Sequence, residues 1–567
     1  MRTLEIYFAA FFCVLSLNNN LFADGKRIPV CESTRGLFLP SSEKSNINGN
    51  EDGTVICWLD ERNNGSLCVQ KMNADNNIVW KDNGVMLDSG LGSGFTSDSD
   101  YPLIFSDNEG GAVIIYRKIF DEYEGVYMIK IYRNGEQMKN PVCLSSFYEG
   151  YNYSPSATLT GNNEIIVVWE NFNEGDFDIH AQKIDLNGKK LWNNGNEIVI
   201  SAALSDQRKP TIACNENNVV FITWLDARDH SDYVFDLFAC TLDNTNSNIN
   251  KIEMEKKIFR NDMISHSRKA IFYNHNVISS EKNSFLVTAE RFNEQLNSSD
   301  IIIIKTMNDL DHVKILDLHS GSYQSHPLMV KISENSENGA YIIWNEKDRN
   351  QNTLSAGSID ADLNLLGHTK GELNITCEIT KNSNVKILPS ETVQNGICTG
   401  NRKLLFTWVN SFTGKLYATS LRLTGESVQC NNTFEIQDKI SEGECTSITY
   451  QRNSVVIVYK QSNKIFAKVR ELPENSLVPP ENETIISNFP NPFNPSTKIF
   501  FSVPSDGFVR LNVYDVSGKL MKILVNEFKT SGEYETEFNG SFLPSGVYFY
   551  RLFAKGNTQT KRMMMIK

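Results

Sequence analysis

The sequence predicts an all-β protein, and three observations support this prediction. A unit that contains an apolar run ending in an aromatic residue recurs along most of the chain. These runs are apolar almost throughout, as in strands whose sheet is covered on both faces. The last part of the chain is dense in short strand patterns separated by Gly, Pro, Ser and Asp turn signals.

The repeated unit organises most of the chain. An apolar run such as TVICW or EIIVVW leads to one anchor position in each unit, and from Trp58 to Tyr459 the mean spacing over seven intervals is about 57 residues. The anchors are Trp58, Tyr116, Trp169, Trp224, Ala289, Trp344, Trp408 and Tyr459. After the anchor comes a polar loop and then a second strand, which carries a small residue at one fixed position. A small residue repeated at one position implies close approach by a neighbouring unit. These small residues are Ala181, Ala239, Ala356, Ala418 and Ala467.

Each unit has room for about four short strands, and stacking such sheets face to face around a ring covers both faces of each. We therefore predict a β-propeller of eight four-stranded blades, or of seven if the weak unit around Ala289 is an insertion. Two stacked β-sandwiches are the alternative. The last unit ends without a fourth strand, and residues 27–32 (RIPVCE) resemble one, so we expect the N-terminal strand to complete that blade.

Several units begin with a residue and a proline well before the anchor, namely Tyr101-Pro102, Ser154-Pro155 and Lys209-Pro210. Proline at the first residue of a strand loses no ladder hydrogen bond, so we expect strands to begin there.

Cys57 and Cys68 lie symmetrically about Arg62-Asn63. A hairpin centred on those two residues would oppose the cysteines at disulfide distance; the alternative is two buried free thiols.

The ends of the chain indicate export. Residues 1–23 contain Arg2, a short apolar segment and Ala23 before Asp24, as in a cleaved signal peptide. We assign residues 24–472 to the propeller, 473–483 to a Pro-rich linker and 484–567 to a small Ig-like β-sandwich of about seven strands. The net charge of −13 argues against nucleic acid and anionic membrane as partners.

The C-terminal segment carries three sequence blocks: FPNPFNPSTKIFFSV (489–503), LNVYDVSGKL (511–520) and LPSGVYFYRL (543–552). With these blocks the segment resembles the type A C-terminal sorting domain of the type IX secretion system. The matching positions are Pro490, Asn491, Pro492, Asn494, Pro495, Tyr514, Asp515, Gly518, Pro544, Gly546 and Tyr548. The resemblance implies the type IX machinery as partner and export across the outer membrane. It also implies a passenger that stays on the cell surface or is released.

The body resembles the W-x-D-x-R propeller repeats of secreted bacterial proteins, which implies a fold more than an activity. The Asp-Arg pairs at Asp60/Arg62, Asp226/Arg228 and Asp348/Arg349 recur with the repeat, so we expect them to tie hairpins. No nucleotide-binding or hydrolase motif and no zinc-ligand spacing occurs in the sequence, so we name no catalytic, cofactor or metal residue. The Asp-rich segments 97–100 and 360–362 could hold Ca²⁺ but lack the register of a calcium loop.

These observations predict a secreted or cell-surface protein that is not an enzyme and that binds a glycan or a surface protein. A secreted glycan-active hydrolase with acids at the central channel is the alternative, and a structural surface component without a small ligand is a third interpretation.

Overall fold

The computed structural model describes residues 26–567 with gaps, the longer ones being 93–100, 146–150, 245–254, 260–269, 332–338, 369–384, 388–395, 438–445 and 472–485. The signal peptide and the linker predicted from the sequence lie outside the described residues. Met1–Arg422 with Val428–Glu471 forms one compact unit, and Leu423–Ser427 with Leu472–Lys567 forms another. The described elements are strands apart from one 3₁₀ turn, Asn193–Gly195. Within the described residues, no helix has the length and apolar character that crossing a membrane requires.

The first unit consists of antiparallel meanders of four strands, except that the seventh has five. The first meander comprises β2 Leu37–Ile47, β3 Asn50–Asp60, β4 Ser66–Met72 and β5 Val85–Ser89, and the second comprises β6 Leu103–Ser106, β7 Ala112–Phe120, β8 Tyr123–Ile131 and β9 Val142–Cys143. The third comprises β10 Tyr151–Leu159, β11 Glu164–Asn173, β12 Asp176–Asp185 and β13 Ile198–Ser201, and the fourth comprises β14 Gln207–Cys214, β15 Val219–Asp226, β16 Asp236–Asp243 and β17 Lys256–Phe259. The second and third meanders join into one eight-stranded sheet through a single parallel pair, Tyr151 with Glu124.

The remaining strands of this unit continue the same order. The fifth meander comprises β18 Ala270–Ser279, β19 Ser284–Asn293, β20 Ser298–Met307 and β21 Val313–Asp317, and the sixth comprises β22 Tyr323–Lys331, β23 Ala340–Asp348, β24 Gln351–Ile359 and β25 Leu365–His368. The seventh comprises β26 Val385–Ile387 and β27 Gly396–Thr399, which both pair with β28 Lys403–Asn410, followed by β29 Lys415–Thr424 and β30 Ser427–Gln437. The eighth comprises β31 Thr446–Gln451, β32 Ser454–Gln461 and β33 Lys464–Glu471. The described residues thus form eight meanders, and the weak unit around Ala289 is a regular fifth one.

The eighth meander takes its fourth strand from the N-terminus. Strand β1, Lys26–Glu32, pairs antiparallel with β33, and Ile28 lies opposite Ala467. The expected position of residues 27–32 is therefore confirmed at the level of strand pairing. At β31, the edge strand opposite β1 in the same sheet, the Ser42 hydroxyl lies 2.8 Å from that of Ser447 and 2.7 Å from that of Thr449, so the first meander also contacts the eighth through side chains.

Apolar side chains fill the space between successive meanders. One core contains Ile114 of the second meander with Val69 of the first, and another contains Val113 of the second with Val167 of the third. Further cores join the third to the fourth, the fourth to the fifth, the fifth to the sixth and the eighth to the first. Both faces of the sheets in the first five meanders are therefore covered, which accounts for the near-continuous apolar runs of their anchor strands.

The prolines occupy a different place from the one predicted. Pro155 and Pro210 lie inside β10 and β14, where the pairing with the next strand shifts register between Tyr153 and Ser156 and between Arg208 and Thr211. Ser154 and Lys209, the residues before these prolines, have φ values of 48° and 52°. A β-bulge leaves one residue outside the ladder, so it accommodates a proline without loss of a hydrogen bond. Pro102, in contrast, directly precedes β6 as expected.

The disulfide considered for Cys57 and Cys68 does not match the register. Trp58 lies opposite Cys68, and Cys57 lies opposite Val69, because the hairpin loop spans residues 61–65 rather than being centred on residues 62 and 63. A shift of one residue places the two side chains on opposite faces of the sheet. Both cysteines are buried free thiols, and they belong to two different cores.

A buried lysine on the third strand recurs between meanders, and the sequence analysis missed it. Lys71 donates to the Gly110 carbonyl oxygen of the second meander at 2.6 Å, and Lys130 lies 3.2 Å from Asn187 Oδ1 of the third. Lys183 donates to the Asn244 carbonyl oxygen at 3.5 Å. Each ammonium group also meets a carboxylate of its own meander, which offsets the cost of burying the charge. The signal available in the sequence was a lysine followed by an apolar residue at the same place of three units, in Lys71-Met72, Lys130-Ile131 and Lys183-Ile184.

The second unit is a seven-stranded sandwich. Its strands are β34 Ile486–Phe489, β35 Ser496–Val503, β36 Gly507–Tyr514, β37 Leu520–Lys529, β38 Gly532–Asn539, β39 Gly546–Ala554 and β40 Asn557–Met565. One sheet has the order β34-β35-β38 and the other β37-β36-β39-β40. A single core between the sheets includes Phe501, Leu511, Phe538 and Tyr550. The unit therefore has a core of its own.

Candidate functional site

The aromatic anchors of the repeat lie in the cores between sheets. Trp58, Trp169, Trp224 and Tyr459 have no exposed surface, and Tyr116 and Trp344 are buried. Trp58 shares its core with residues of the eighth meander, Trp169 with residues of the second and Trp224 with residues of the third. Trp408 lies on β28 opposite Tyr417, and its side chain falls outside the described residues. These positions give the described anchors a packing role.

The Asp-Arg pairs hold the turn that follows the anchor strand. Asp226 is fully buried and accepts hydrogen bonds from the Arg228 backbone N–H at 2.9 Å and from the Trp224 indole at 2.9 Å. The Arg228 guanidinium also binds Asp226, with Nη2 2.6 Å from Oδ2. Asp60 and Arg62 repeat the arrangement, with the Arg62 backbone N–H donating to Asp60 at 2.9 Å. For the third pair, the side chain of Asp348 and all of Arg349 lie outside the described residues.

The three sequence blocks of the C-terminal unit meet at one end of its sandwich, which we call the motif end. Strand β36 ends at Tyr514, β39 begins at Gly546 and β40 ends at Met565, and antiparallel pairing places these three ends together. The backbone N–H of Lys567 donates to the Ser545 hydroxyl at 2.9 Å. Residues far apart in the sequence therefore form one contiguous surface.

The first block covers the outer edge of β40. The Asn491 side chain accepts from the Met564 backbone N–H at 2.8 Å and donates to the Arg562 carbonyl oxygen at 3.3 Å. The Phe493 backbone then pairs in parallel with Met565. Asn494 and Pro495 are exposed, and the Pro495 carbonyl oxygen accepts from Gly540 at 2.8 Å. Pro490 and Pro492 lie outside the described residues. An otherwise open strand edge is thus occupied.

The second and third blocks build two turns at the motif end. Asp515 accepts from the Lys519 backbone N–H at 3.0 Å, and Gly518 has a φ of 82°, a conformation that favours glycine. The Asn512 amide donates to the Tyr514 hydroxyl at 3.0 Å. The buried Tyr548 donates its hydroxyl to the Pro544 carbonyl oxygen at 2.8 Å, and so fixes the turn before β39.

Apolar side chains project into solvent around these turns. Val516 is 73% exposed, Phe542 67% and Ile566 50%, and Met564 and Leu520 are also exposed. Exposed apolar residues are ordinary when they occur singly, whereas here five of them lie near the turns of the motif end.

Three carboxyl groups among the described residues of the body, those of Glu43, Glu170 and Asp178, have raised pKa values. Burial raises the pKa of the half-buried Glu43 to about 7, and the backbone N–H and the charge of Lys44 oppose this shift only in part. Burial also raises the pKa of Glu170, against the opposing effect of Arg208, whose Nε lies 2.9 Å from Glu170 Oε2. A carboxyl with a pKa near neutrality could serve as a general acid, so Glu43 is the residue to examine for catalysis.

No group of three or more His, Cys, Asp or Glu suited to a metal ion occurs within the described parts of the chain. Of the two Asp-rich segments, residues 97–100 lie outside the description. In the other, Asp360 Oδ1 accepts hydrogen bonds from the backbone N–H groups of Asp362 and Asn364, each at 2.8 Å, and thereby shapes its own turn.

Comparison with known proteins identifies the C-terminal unit. Residues 487–567 match the family described as the secretion system C-terminal sorting domain. This match confirms the resemblance seen in the sequence blocks, and a type IX sorting domain indicates export to the cell surface or the medium. None of the curated proteins is significantly similar to the chain.

Solved structures give weak similarities. An ulvan lyase of a polysaccharide lyase family has a TM-score of 0.42 and 9% identity over 79% of this chain and 98% of its own. An α-L-arabinofuranosidase from Fusarium graminearum has a TM-score of 0.34 and 11% identity over 60% and 98%. PorZ, a surface component of the type IX secretion system of Porphyromonas gingivalis, has a TM-score of 0.26 and 9% identity over 90% and 74%. These scores are too low to carry an argument about fold or chemistry.

Proposed function

We propose that this protein is a secreted or cell-surface β-propeller of eight blades that binds or supports other molecules without catalysis. The type IX machinery exports it through the C-terminal sorting domain. The domains are a signal peptide over residues 1–23, the propeller over 24–472, a linker over 473–483 and the sorting domain over 484–567. The pairing of β1 with β33 is the single observation that carries the proposal, because it joins the two ends of the repeat array.

The order of packing supports a closed ring. Each of the first five meanders shares a core with the next one in sequence, and the eighth shares a core with the first. An open stack would leave two large apolar faces in water, at about 25 cal/mol for each Å² exposed. Contact between the first and last members removes both faces at once.

The placement of the repeated residues supports a non-catalytic role. The described anchors, and the pairs Asp60/Arg62 and Asp226/Arg228, are engaged in packing and turn formation. Their chemistry is therefore used within the fold. Binding to a glycan or to a surface protein would then fall to residues that depart from the repeat.

A glycan-active hydrolase remains the second candidate because of Glu43. Hydrolysis of a glycoside uses two carboxyl groups, one of them protonated near neutral pH. The raised pKa of Glu43 satisfies that single requirement. The second carboxyl group would have to face Glu43 at about 5–10 Å.

Two experiments test the proposal. The first expresses the full chain and a chain that ends at residue 483 in a host with type IX secretion, and measures the protein in periplasm, on the surface and in the medium. We expect only the full chain to cross the outer membrane, and equal export of both would contradict the proposal. The second incubates the purified protein with a panel of polysaccharides and measures new reducing ends and unsaturated uronates. Turnover that forms new reducing ends without unsaturated uronates, and that Glu43→Gln abolishes, would establish the hydrolase instead.

A further inference from the structure

We propose that a surface of four aromatic side chains on the third meander binds a neutral polysaccharide chain, an inference that rests on the proposed non-catalytic binding role. The surface, which we call the aromatic surface, consists of Tyr151, Tyr153, Phe172 and Phe177, with Arg117 and Arg208 at its two sides. It lies at the end of the strands where β10 begins and β11 ends.

Strand register places three of the rings in a row. Tyr151 lies directly opposite Phe172, and Phe172 lies directly opposite Phe177, so the three side chains share one face of the sheet. The rings of Phe172 and Phe177 are 4.8 Å apart, and Tyr153 lies 5.9 Å from Phe177 and 6.5 Å from Tyr151. Tyr151 is 40% exposed, and the other three rings are partly exposed.

Charged side chains from both neighbouring meanders border the rings. The Arg117 guanidinium of the second meander lies 5.4 Å from the centre of the Tyr153 ring, and that of Arg208 in the fourth lies 3.6 Å from the centre of Phe177. Arg117 is paired with Glu124 at 3.0 Å and Arg208 with Glu170 at 2.9 Å. Each arginine thus fixes an aromatic ring in place through a cation–π contact.

The scaffold beneath the surface is rigid. Backbone pairing joins Tyr151 to Glu124 across two meanders. The buried Asn152 donates to the Glu124 carbonyl oxygen at 2.7 Å and accepts from the Asn171 amide at 3.0 Å. A surface held in one conformation before binding loses little entropy when a ligand arrives.

The third meander differs from the first and fourth at this place. In the first and fourth meanders the second and fourth residues after the anchor are Asp and Arg, which tie the turn. In the third meander the corresponding residues are Asn171 and Asn173, and Phe172 stands between them. The third meander thus has an aromatic side chain at the position where the first and fourth have Glu61 and Ala227.

The size of the surface favours a sugar chain over a protein partner. Four aromatic side chains of about 200 Å² each, at 40% exposure or less, offer at most roughly 300 Å². A stable protein–protein interface needs about 800 Å² from each partner. The aromatic rings match the C–H faces of two or three pyranose units. The Nη atoms of Arg208, which commits only its Nε to a hydrogen bond within the described residues, can donate to sugar hydroxyls.

The charge of the surface favours a neutral polysaccharide. Both arginines are balanced by glutamates, and Asp206, which accepts from the Phe177 backbone N–H at 3.3 Å, adds a further negative charge. The whole chain carries a net charge of −13. A polyanion would therefore be repelled both locally and at long range.

The test compares tyrosines of equal exposure at opposite ends of the strands. Tyr151 is 40% exposed at the start of β10, and Tyr132 is 39% exposed after the end of β8. Full-length wild type, Tyr151→Ala, Tyr151→Phe and Tyr132→Ala are run in native gels containing xyloglucan, galactomannan or laminarin, or alginate as a polyanion, and binding is quantified by calorimetry. Circular dichroism and thermal melting confirm that each variant is folded.

We expect at least one neutral polysaccharide to retard the wild type. Tyr151→Ala should weaken that binding about tenfold, equivalent to about 1.4 kcal/mol, because a ring face is lost. Tyr151→Phe and Tyr132→Ala should bind as the wild type does. Equal loss in Tyr132→Ala, no loss in folded Tyr151→Ala, retardation by alginate alone, or no retardation by any probe would each overturn this site. None of these outcomes decides the proposed function, which the export and turnover experiments test separately.

Discussion

Ile28, on the first described strand, is the direct antiparallel partner of Ala467, on the last strand of the body. Both side chains are buried in the core that also contains Trp58 of the first meander. Two segments at opposite ends of the repeat array therefore build one sheet. A sheet completed in this way depends on both ends of the chain, so the array gains the cooperativity that an open stack of repeats lacks.

Two glycines at similar places of the repeat predict unequal effects of the same Gly-to-Ala substitution, because only one of them lies against an anchor side chain. Gly84 and Gly195 end the segments IVWKDNG and KLWNNG, with φ values of 86° and 92°. A Cβ on Gly84 would lie 2.5 Å from Trp58 Cη2, whereas a Cβ on Gly195 would meet nothing within 4 Å. We expect Gly195→Ala to cost about 1–2 kcal/mol of unfolding free energy from backbone strain alone, and Gly84→Ala to cost about 2 kcal/mol more. Urea unfolding measures both; equal costs would contradict the packing described for Trp58.

The pKa of Glu43 predicts a pH dependence of stability. Its pKa rises from 4.5 in the unfolded chain to about 7 in the fold, so the folded state holds the proton more tightly. The stabilising contribution is complete below pH 4.5 and disappears as the pH rises through 7. Glu43→Gln should therefore gain stability relative to the wild type between pH 5 and pH 8, by at most about 3 kcal/mol. Chemical unfolding at both pH values checks this, and a difference that does not change with pH would refute the assignment.

The buried Asp226 predicts a large loss from a single truncation. Its carboxylate binds the Trp224 indole and the Arg228 guanidinium and has no exposed surface. We expect Asp226→Ala to lower the unfolding free energy by about 3–5 kcal/mol, because the buried partners lose their acceptor. Asp229→Ala is the control: Asp229 is 53% exposed and pairs with Lys257, so its loss should cost less than about 1 kcal/mol. Similar losses for the two variants in thermal melts would show that Asp226 does not tie this turn.

The position of Asn491 predicts a defect in the sorting domain. Its side chain makes two hydrogen bonds to the backbone of β40 and holds the first sequence block against that strand. Asn491→Ala should destabilise the edge by about 1–3 kcal/mol and reduce the fraction of protein that reaches the surface or medium. Asn526→Ala removes a single exposed hydrogen bond to Arg510 and serves as the control. Export of Asn491→Ala at the level of this control would separate the motif from sorting.

Much of the architecture is readable from periodicity, whereas the features that depend on register are not. The apolar runs that end at the anchors predict the second strand of each meander, because a strand in a sheet covered on both faces is apolar almost throughout. The Cys57–Cys68 disulfide required a hairpin loop centred on Arg62 and Asn63, but the loop spans residues 61–65, so the alternative of two buried free thiols is the correct one. The bulges at Pro155 and Pro210 likewise depend on φ values that the sequence alone does not specify.

The motif end and the aromatic surface differ in how well the sequence predicts them. The sorting domain is recognisable from its three sequence blocks, and the structure adds that these blocks meet at the motif end of the sandwich. The aromatic surface was missed, because Tyr151, Phe172 and Phe177 become neighbours only through the pairing of three strands. The signal that the sequence offered was Phe172, an aromatic residue at the position where the first and fourth meanders have Glu61 and Ala227.

Closure of the array through β1 and β33 is tested most directly by a cross-link. Arg27 and Lys468 are direct partners, so cysteines at these positions should form a disulfide in the folded protein. The account predicts that Arg27→Cys with Lys468→Cys oxidises to this disulfide, identified by mass spectrometry, and that the oxidised protein melts at a higher temperature than the reduced one. Failure of the two thiols to join in folded protein, while each reacts freely with an alkylating reagent, would contradict the closed ring.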